Sequence, residues 1–139
     1  MVPRRYRAIF VSDLHLGHFG CRADHLLAFF RSHRAEAYYL VGDILDLWLS
    51  RAPVWSNDED AIVEHLRERH AAGAKIIYVR GNHDRWPETA PPEAQLPAIA
   101  VESAVHQALD GRNYWVVHGH GQHKSLLSAN TFSIAGHRI

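Results

Sequence analysis

Ala37-Tyr38-Tyr39-Leu40-Val41-Gly42-Asp43-Ile44-Leu45-Asp46 is the stretch on which the reading of the fold turns. From Ala37 to Val41 it lacks the polar alternation of a half-exposed strand. It therefore predicts a strand covered on both faces, as inner strands of parallel sheets are. Arg7 to Ser12 and Lys75 to Val79 read the same way. Helical patterns separate the three. Ala23, Leu26, Leu27 and Phe30 space a short helix between the first two strands. Before the third, Ser56 and Glu59 make a capping box, and Asp58 to Asp60 put negative charge in the first turn. Ile62, Val63 and Leu66 form its inward stripe, Arg67 to His70 its last turn, and Gly73 stands where a C′ glycine belongs. Strand–helix–strand–helix–strand implies right-handed crossovers and a parallel sheet. The expected class is α/β: a mostly parallel β-sheet flanked by helices.

Downstream, Pro87 to Pro97 holds four prolines and reads as an irregular connection. Ala104 to Leu109 and Arg112 to Val117 flank Asp110-Gly111, a two-residue hairpin signal. His120 to Ile139 shows no period. The 139 residues suit one domain with a real core. Fifteen Lys+Arg balance fifteen Asp+Glu, so no broad basic surface grips nucleic acid, although a local basic patch remains compatible with that total. Cys21 is the sole cysteine, which excludes an internal disulfide and a thiolate metal cluster and fits a reducing compartment. The apolar stretch Ala8 to Val11 behind Arg4, Arg5 and Arg7 is too short for a signal peptide. The expectation is a cytoplasmic protein whose membrane contact, if any, is peripheral.

The strand ends carry the chemistry. The first leads into Asp13-Leu14-His15, the second into Gly42-Asp43 and Asp46, the third into Gly81-Asn82-His83-Asp84, and the hairpin into Val117-His118-Gly119. In open α/β sheets, ligands bind beyond the carboxyl ends of the strands, so four distant segments can meet at one spot. Taken singly, each has a plainer explanation: a surface Asp–His pair, a turn, a helix cap, a structural histidine. Together, carboxylates, imidazoles and an amide oxygen suit hard or borderline divalent cations. Two cations about 3.5–4 Å apart clamp both oxygens of an in-line displacement at phosphorus. Glycines at 42 and 81 allow close backbone approach.

Val11-Ser12-Asp13-Leu14-His15-Leu16-Gly17, Gly42-Asp43-x-x-Asp46, Gly81-Asn82-His83-Asp84 and Val117-His118-Gly119 resemble the motifs of calcineurin-like metallophosphoesterases. The Asp-Leu-His-Leu-Gly opening, Gly20-Cys21 and Tyr39 to Ile44 are similar to bacterial UDP-2,3-diacylglucosamine diphosphatases, which cleave a pyrophosphate to a lipid A precursor and UMP. The likeness runs from about Tyr6 to Gly119. It implies a metallophosphoesterase-type sandwich with two divalent metal ions, Mn2+ foremost, with Fe or Zn as alternatives. It gives Asp13, His15 and a share of Asp43 to one metal, and Asp43, Asn82 and His118 to the other. His83 would face the substrate as a catalytic residue, Asp84 would orient it, and Asp46 would hold a ligand through hydrogen bonds. The substrate would be a small-molecule or lipid-linked nucleotide, reached at the inner membrane's cytoplasmic face. Some lipid-A relatives carry Arg where this chain has His83, and Asp where it has His120.

The family's late Gly-His-x-His element is missing: Gly119-His120-Gly121-Gln122-His123 is one residue too long, and Gly136-His137-Arg138 stops short. The resemblance thus implies the N-terminal, partial domain of a longer phosphoesterase, and leaves open whether His120 or His123 replaces that element. A phosphodiesterase or phosphatase acting on a soluble nucleotide or phosphoprotein, and an inactive metal-binding module, are the competing readings. Leu47, Trp48, Leu49, Val54 and Trp55 follow Asp46. They read as core packing or as an apolar wall beside the metals.

Overall fold

The computed structural model describes residues 2–48, 52–84 and 87–119, together with the backbone of His137 and Arg138. Four strands run parallel in the order β1 (Arg4–Val11), β2 (His33–Val41), β3 (Lys75–Val79) and β4 (Ile99–Val101). The helices α1 (Ala23–Ser32) and α2 (Asn57–Ala71) connect the first three. Ala37 to Val41 is buried at every residue, as a continuous apolar run requires. The same expectation fails for β1, where only Ile9 is buried. β1 stands at the end of the sheet and begins with arginines, so its outer half has nothing apolar to cover. β4 escaped the sequence reading because three residues show no period; it is recruited by pairing, Ile77 to Ile99 through Val79 to Val101.

Strand alternation sorts the core into two layers. Tyr38, Leu40, Ile76 and Tyr78 point toward the helices and meet Leu27, Phe30, Ile62 and Leu66. Ala37, Tyr39, Val41 and Val79 point the other way, onto Val116 of an antiparallel hairpin. That hairpin is β5 (Ala104–Gln107) with β6 (Asn113–Val116), and β7 (His137–Arg138) pairs antiparallel with β6. Its turn differs from the two-residue form expected. Gln107 faces Asn113, the Ala108 amide donates to the Arg112 carbonyl, and the Gly111 amide donates to the Ala108 carbonyl. Three residues, Leu109 to Gly111, therefore form the loop, with Gly111 at φ 80° supplying the left-handed position such loops need.

Both ends of α2 close as the sequence predicts. Ser56 and Glu59 form the reciprocal capping box. At the other end, Gly73 (φ 98°) lets its own amide reach the His70 carbonyl while the Ala74 amide reaches that of Arg69. This is the Schellman arrangement, and it satisfies carbonyls the helix leaves open. A Cβ at Gly73 would meet nothing within 4 Å, so only backbone strain opposes a larger residue. Gly73→Ala is expected to lower unfolding stability by about 1–2 kcal/mol in a urea titration, and Ser56→Ala by about 1 kcal/mol.

Candidate functional site

Beyond their last ladder residues the strands stay laced together. Asp13 N donates to Gly42 O (3.0 Å), His15 N to Asp43 O (2.9 Å), and Gly42 N to Val79 O (2.7 Å). These bonds hold the turns after β1, β2 and β3 side by side. Three non-glycine residues of the described chain have positive φ: Asp13 (54°), His15 (48°) and Asp43 (53°). Each costs roughly 1–3 kcal/mol of backbone strain, and all three are predicted metal ligands. The bends turn their side chains into one place: atoms of Asp13, His15 and Asp43 lie within 4.8 Å of one another, and so do atoms of His15, Asp46 and His83.

Asp43 is the meeting point. Its carboxylate is buried, Oδ1 accepts from the His83 amide at 2.9 Å, and Oδ2 stands 3.7 Å from His118 Nε2 and 4.0 Å from His83 Nε2. His118, just past β6, also places Nε2 3.4 Å from Asp13 Oδ1. His15 turns Nδ1 to Asp46 Oδ2 at 3.2 Å, which leaves Nε2 as its free ligand atom. His83 packs edge-on against His15, with ring centroids 4.9 Å apart. Its Nδ1 is 3.7 Å from Asp46 Oδ1; both atoms are buried without a hydrogen bond, a gap that suits a bridging cation or water. Asn82 is exposed between Gly81 and His83 at the carboxyl end of β3.

The two glycines make room for neighbouring side chains. A Cβ at Gly42 would come within 2.2 Å of the His118 ring, and one at Gly81 within 2.2 Å of Asp43 Oδ1. Asp84 is placed differently from its predicted role. The polar neighbours of the His83 ring are Asp43 and Asp46. Asp84 Oδ1 accepts from the amides of Ile44 (3.0 Å) and Leu45 (2.9 Å) and from the Tyr78 hydroxyl, and Oδ2 accepts from the Gly81 amide (3.0 Å). Burial above all, then the Asp84 charge, raises the Tyr78 pKa far above its ordinary value, so the hydroxyl stays a donor.

Three carboxylates gathered at one place repel one another unless positive charge lies among them, the three imidazoles beside them add nitrogen donors, and none of the donors is soft. The donor set therefore fits divalent metal. Cys21, beside the cleft, is no competitor: burial, then Glu59 and Asp24, push its thiol pKa up. The cleft has a volume of 410 Å³, and its lining includes His18 and Arg22, which the sequence reading passed over. His18 follows the Asp-x-His motif by three residues, the one signal that could have marked it. Leu47, Trp48 and Trp55 pack against the core, and none of them lines the cleft, so the apolar-wall reading is not met by them. Leu49, His120 and His123 lie outside the described residues.

The profile of the family described as Calcineurin-like phosphoesterase matches residues 6–138. The UDP-2,3-diacylglucosamine hydrolase of Cellvibrio japonicus is 33% identical over 85 residues, covering 55% of this chain and 32% of its own. The enzyme of the same name from Porphyromonas gingivalis is 27% identical over 130 residues, covering 88% of this chain and 49% of its own. The chain thus spans half or less of the length of these relatives. The crystal structure of Pseudomonas putida nuclease MPE aligns at 22% identity with a TM-score of 0.45, covering 68% of this chain and 47% of that one.

Asp84→Asn puts an NH2 group among backbone donors. It is expected to lower stability by about 2 kcal/mol or more, read as a fall in melting temperature. An unchanged melting temperature with slowed turnover would instead return Asp84 to the orienting role.

Proposed function

The chain belongs to the calcineurin-like phosphoesterase family, and from that premise we propose that it is a dinuclear metal-dependent phosphohydrolase cleaving the pyrophosphate of UDP-2,3-diacylglucosamine. The observation that carries the reading is Asp43: a buried carboxylate shared between the Asp13–His15 pair and His118, as a bridging ligand must be. In this proposal Asp13, His15 and Asp43 hold one ion, and Asp43, Asn82 and His118 the other, with Mn2+ preferred over Fe or Zn. The names of the relatives support the substrate. A cytoplasmic setting, with the protein touching the inner membrane only peripherally, follows from that substrate.

Bound divalent cations supply charge neutralisation at the phosphoryl group and an activated water. The chain's own residues do the positioning. The left-handed turns at 13, 15 and 43 fix two carboxylates and an imidazole before substrate arrives, so no reorganisation is needed during reaction. Asp46 holds the His15 ring in one tautomer through Nδ1. His83, with Nδ1 toward Asp46, presents Nε2 for a proton to the leaving oxygen or a hydrogen bond to the transferred group. Asp84 supports this by keeping the turns after β2 and β3 in contact.

A second reading is a phosphodiesterase acting on a soluble nucleotide. The core packing of Leu47, Trp48 and Trp55 favours it, since those residues offer no acyl chain a surface in the cleft. Comparing turnover of UDP-2,3-diacylglucosamine with that of bis(p-nitrophenyl) phosphate separates the two. Preference for the lipid nucleotide supports the first, and hydrolysis of the diester alone the second. No turnover of either by metal-loaded protein would leave a metal-binding module.

Calorimetric titration with manganese should show two ions bound to the wild type, none to Asp43→Ala and chiefly one to His15→Ala. His83→Ala should keep its metal while turnover falls by about 10²–10⁴; full metal with unchanged turnover would remove His83 from the reaction.

A further inference from the structure

At the opposite end of the sheet, the amino ends of β1 and β2 and the C-terminal end of α2 enclose a cavity of 330 Å³. Arg5, Arg34 and Arg69 line it, with Glu36 as the one carboxylate in the lining. Arg5 and Arg34 are direct register partners on adjacent parallel strands. Alternation from Ile9 and Tyr38, themselves partners in the helix-side core, puts both arginines on the helix face. Like charges directly opposite one another on neighbouring strands are destabilising. Here a third guanidinium joins them, in a chain whose fifteen cationic and fifteen acidic residues cancel overall.

Among the described residues, no carboxylate lies within ion-pairing distance of Arg5, Arg34 or Arg69, and Glu36 stands 3.8 Å from Arg7 instead. The carbonyls at the end of α2 are taken: Ala72, Gly73 and Ala74 amides donate to Glu68, His70 and Arg69. Arg69 Nε is buried with no hydrogen-bond acceptor. The field is felt nearby. His65 has its pKa lowered by burial first and by Arg69 next, with Arg34 and Arg31 adding to this and Glu68 opposing it.

We propose that this cavity binds a phosphate-type oxyanion, held between the Arg5–Arg34 pair and Arg69. Guanidinium groups meet phosphate oxygens through paired N–H donors, and one dianion removes the repulsion along the strand pair. The site is separate from the metal cleft: the eight residue-to-residue steps from Arg5 to Asp13, along β1 and its turn, span about 25 Å at the rise of a strand. The anion's source is either a free phosphate compound or the phosphodiester headgroup of an anionic lipid.

The test uses the isotope-labelled full chain, titrated with inorganic phosphate in exchange for chloride at constant ionic strength. A parallel arm uses vesicles of phosphatidylglycerol, with phosphatidylcholine vesicles as control. The amide resonances of Arg5, Arg34 and Gly73 should shift along one saturable curve. The Arg5→Ser/Arg34→Ser variant should bind at least tenfold more weakly, with a melting temperature equal to or above that of the wild type. A response to free phosphate identifies a soluble ligand, and a response to phosphatidylglycerol alone a headgroup; either supports the site. No saturable response of these residues to either probe, or undiminished binding by the double variant, would overturn it.

Discussion

Asp84 is the carboxylate on which the geometry of the cleft depends. It sits buried at the junction of two turns and accepts from Ile44 and Leu45 after β2, from Gly81 after β3, and from Tyr78 within β3. Charge-assisted hydrogen bonds of this kind are the strong ones, and removing an acceptor from buried donors costs more than the bonds themselves contribute. Asp43 and Asp46 hang from one of these turns, and Asn82 and His83 from the other. Their spacing is therefore set by a residue that touches neither the His83 ring nor the cleft.

Around that junction the chain accepts unfavourable local choices. Three polar residues take left-handed backbone, and two glycines are required because the His118 and Asp43 side chains fill the space a Cβ would need. The buried carboxylates of Asp43 and Asp46 are gathered near one another and near Asp13, where separating these like charges would lower the electrostatic energy. Such local conflicts cluster at functional sites because surrounding structure over-determines them. Here the support comes from the buried half of β2, Ala37 to Val41, paired on both sides, and from turns that continue the pairing past the strand ends. A rigid donor set is what electrostatic stabilisation of a developing charge calls for.

The two ends of the sheet carry opposite charge. At the carboxyl ends Asp13, Asp43 and Asp46 converge; at the amino ends Arg5 and Arg34 stand side by side. A net charge of zero conceals this, because composition adds what the fold separates. Parallel topology is the cause. All strand starts lie on one edge and all strand ends on the other, so a residue's place along its strand decides which charge cluster it joins.

Much of this was legible in the residues. Continuous apolar runs, the capping box at Ser56 and Glu59 and the glycine at 73 all reflect short-range physics, and the parallel strands and α2 follow from them. The candidate ligands were legible too, because Asp13, His15, Asp43 and His118 follow apolar runs and such sheets gather their ligands at strand ends. Other features depend on contacts between distant segments. β4 is three residues without a period, defined only by pairing with β3. The hairpin loop took its length from the register between β5 and β6 rather than from the Asp-Gly pair. Asp84 adjoins His83 in the chain, yet its Oδ1 points to amides about forty residues away. Leu47, Trp48 and Trp55 follow Asp46 but turn to the core, since burial there removes their area from water. Local sequence thus determined the strands, the helices and the donor types; only tertiary packing decided which donors stand together, because distances between strand ends are set by register and buried hydrogen bonds.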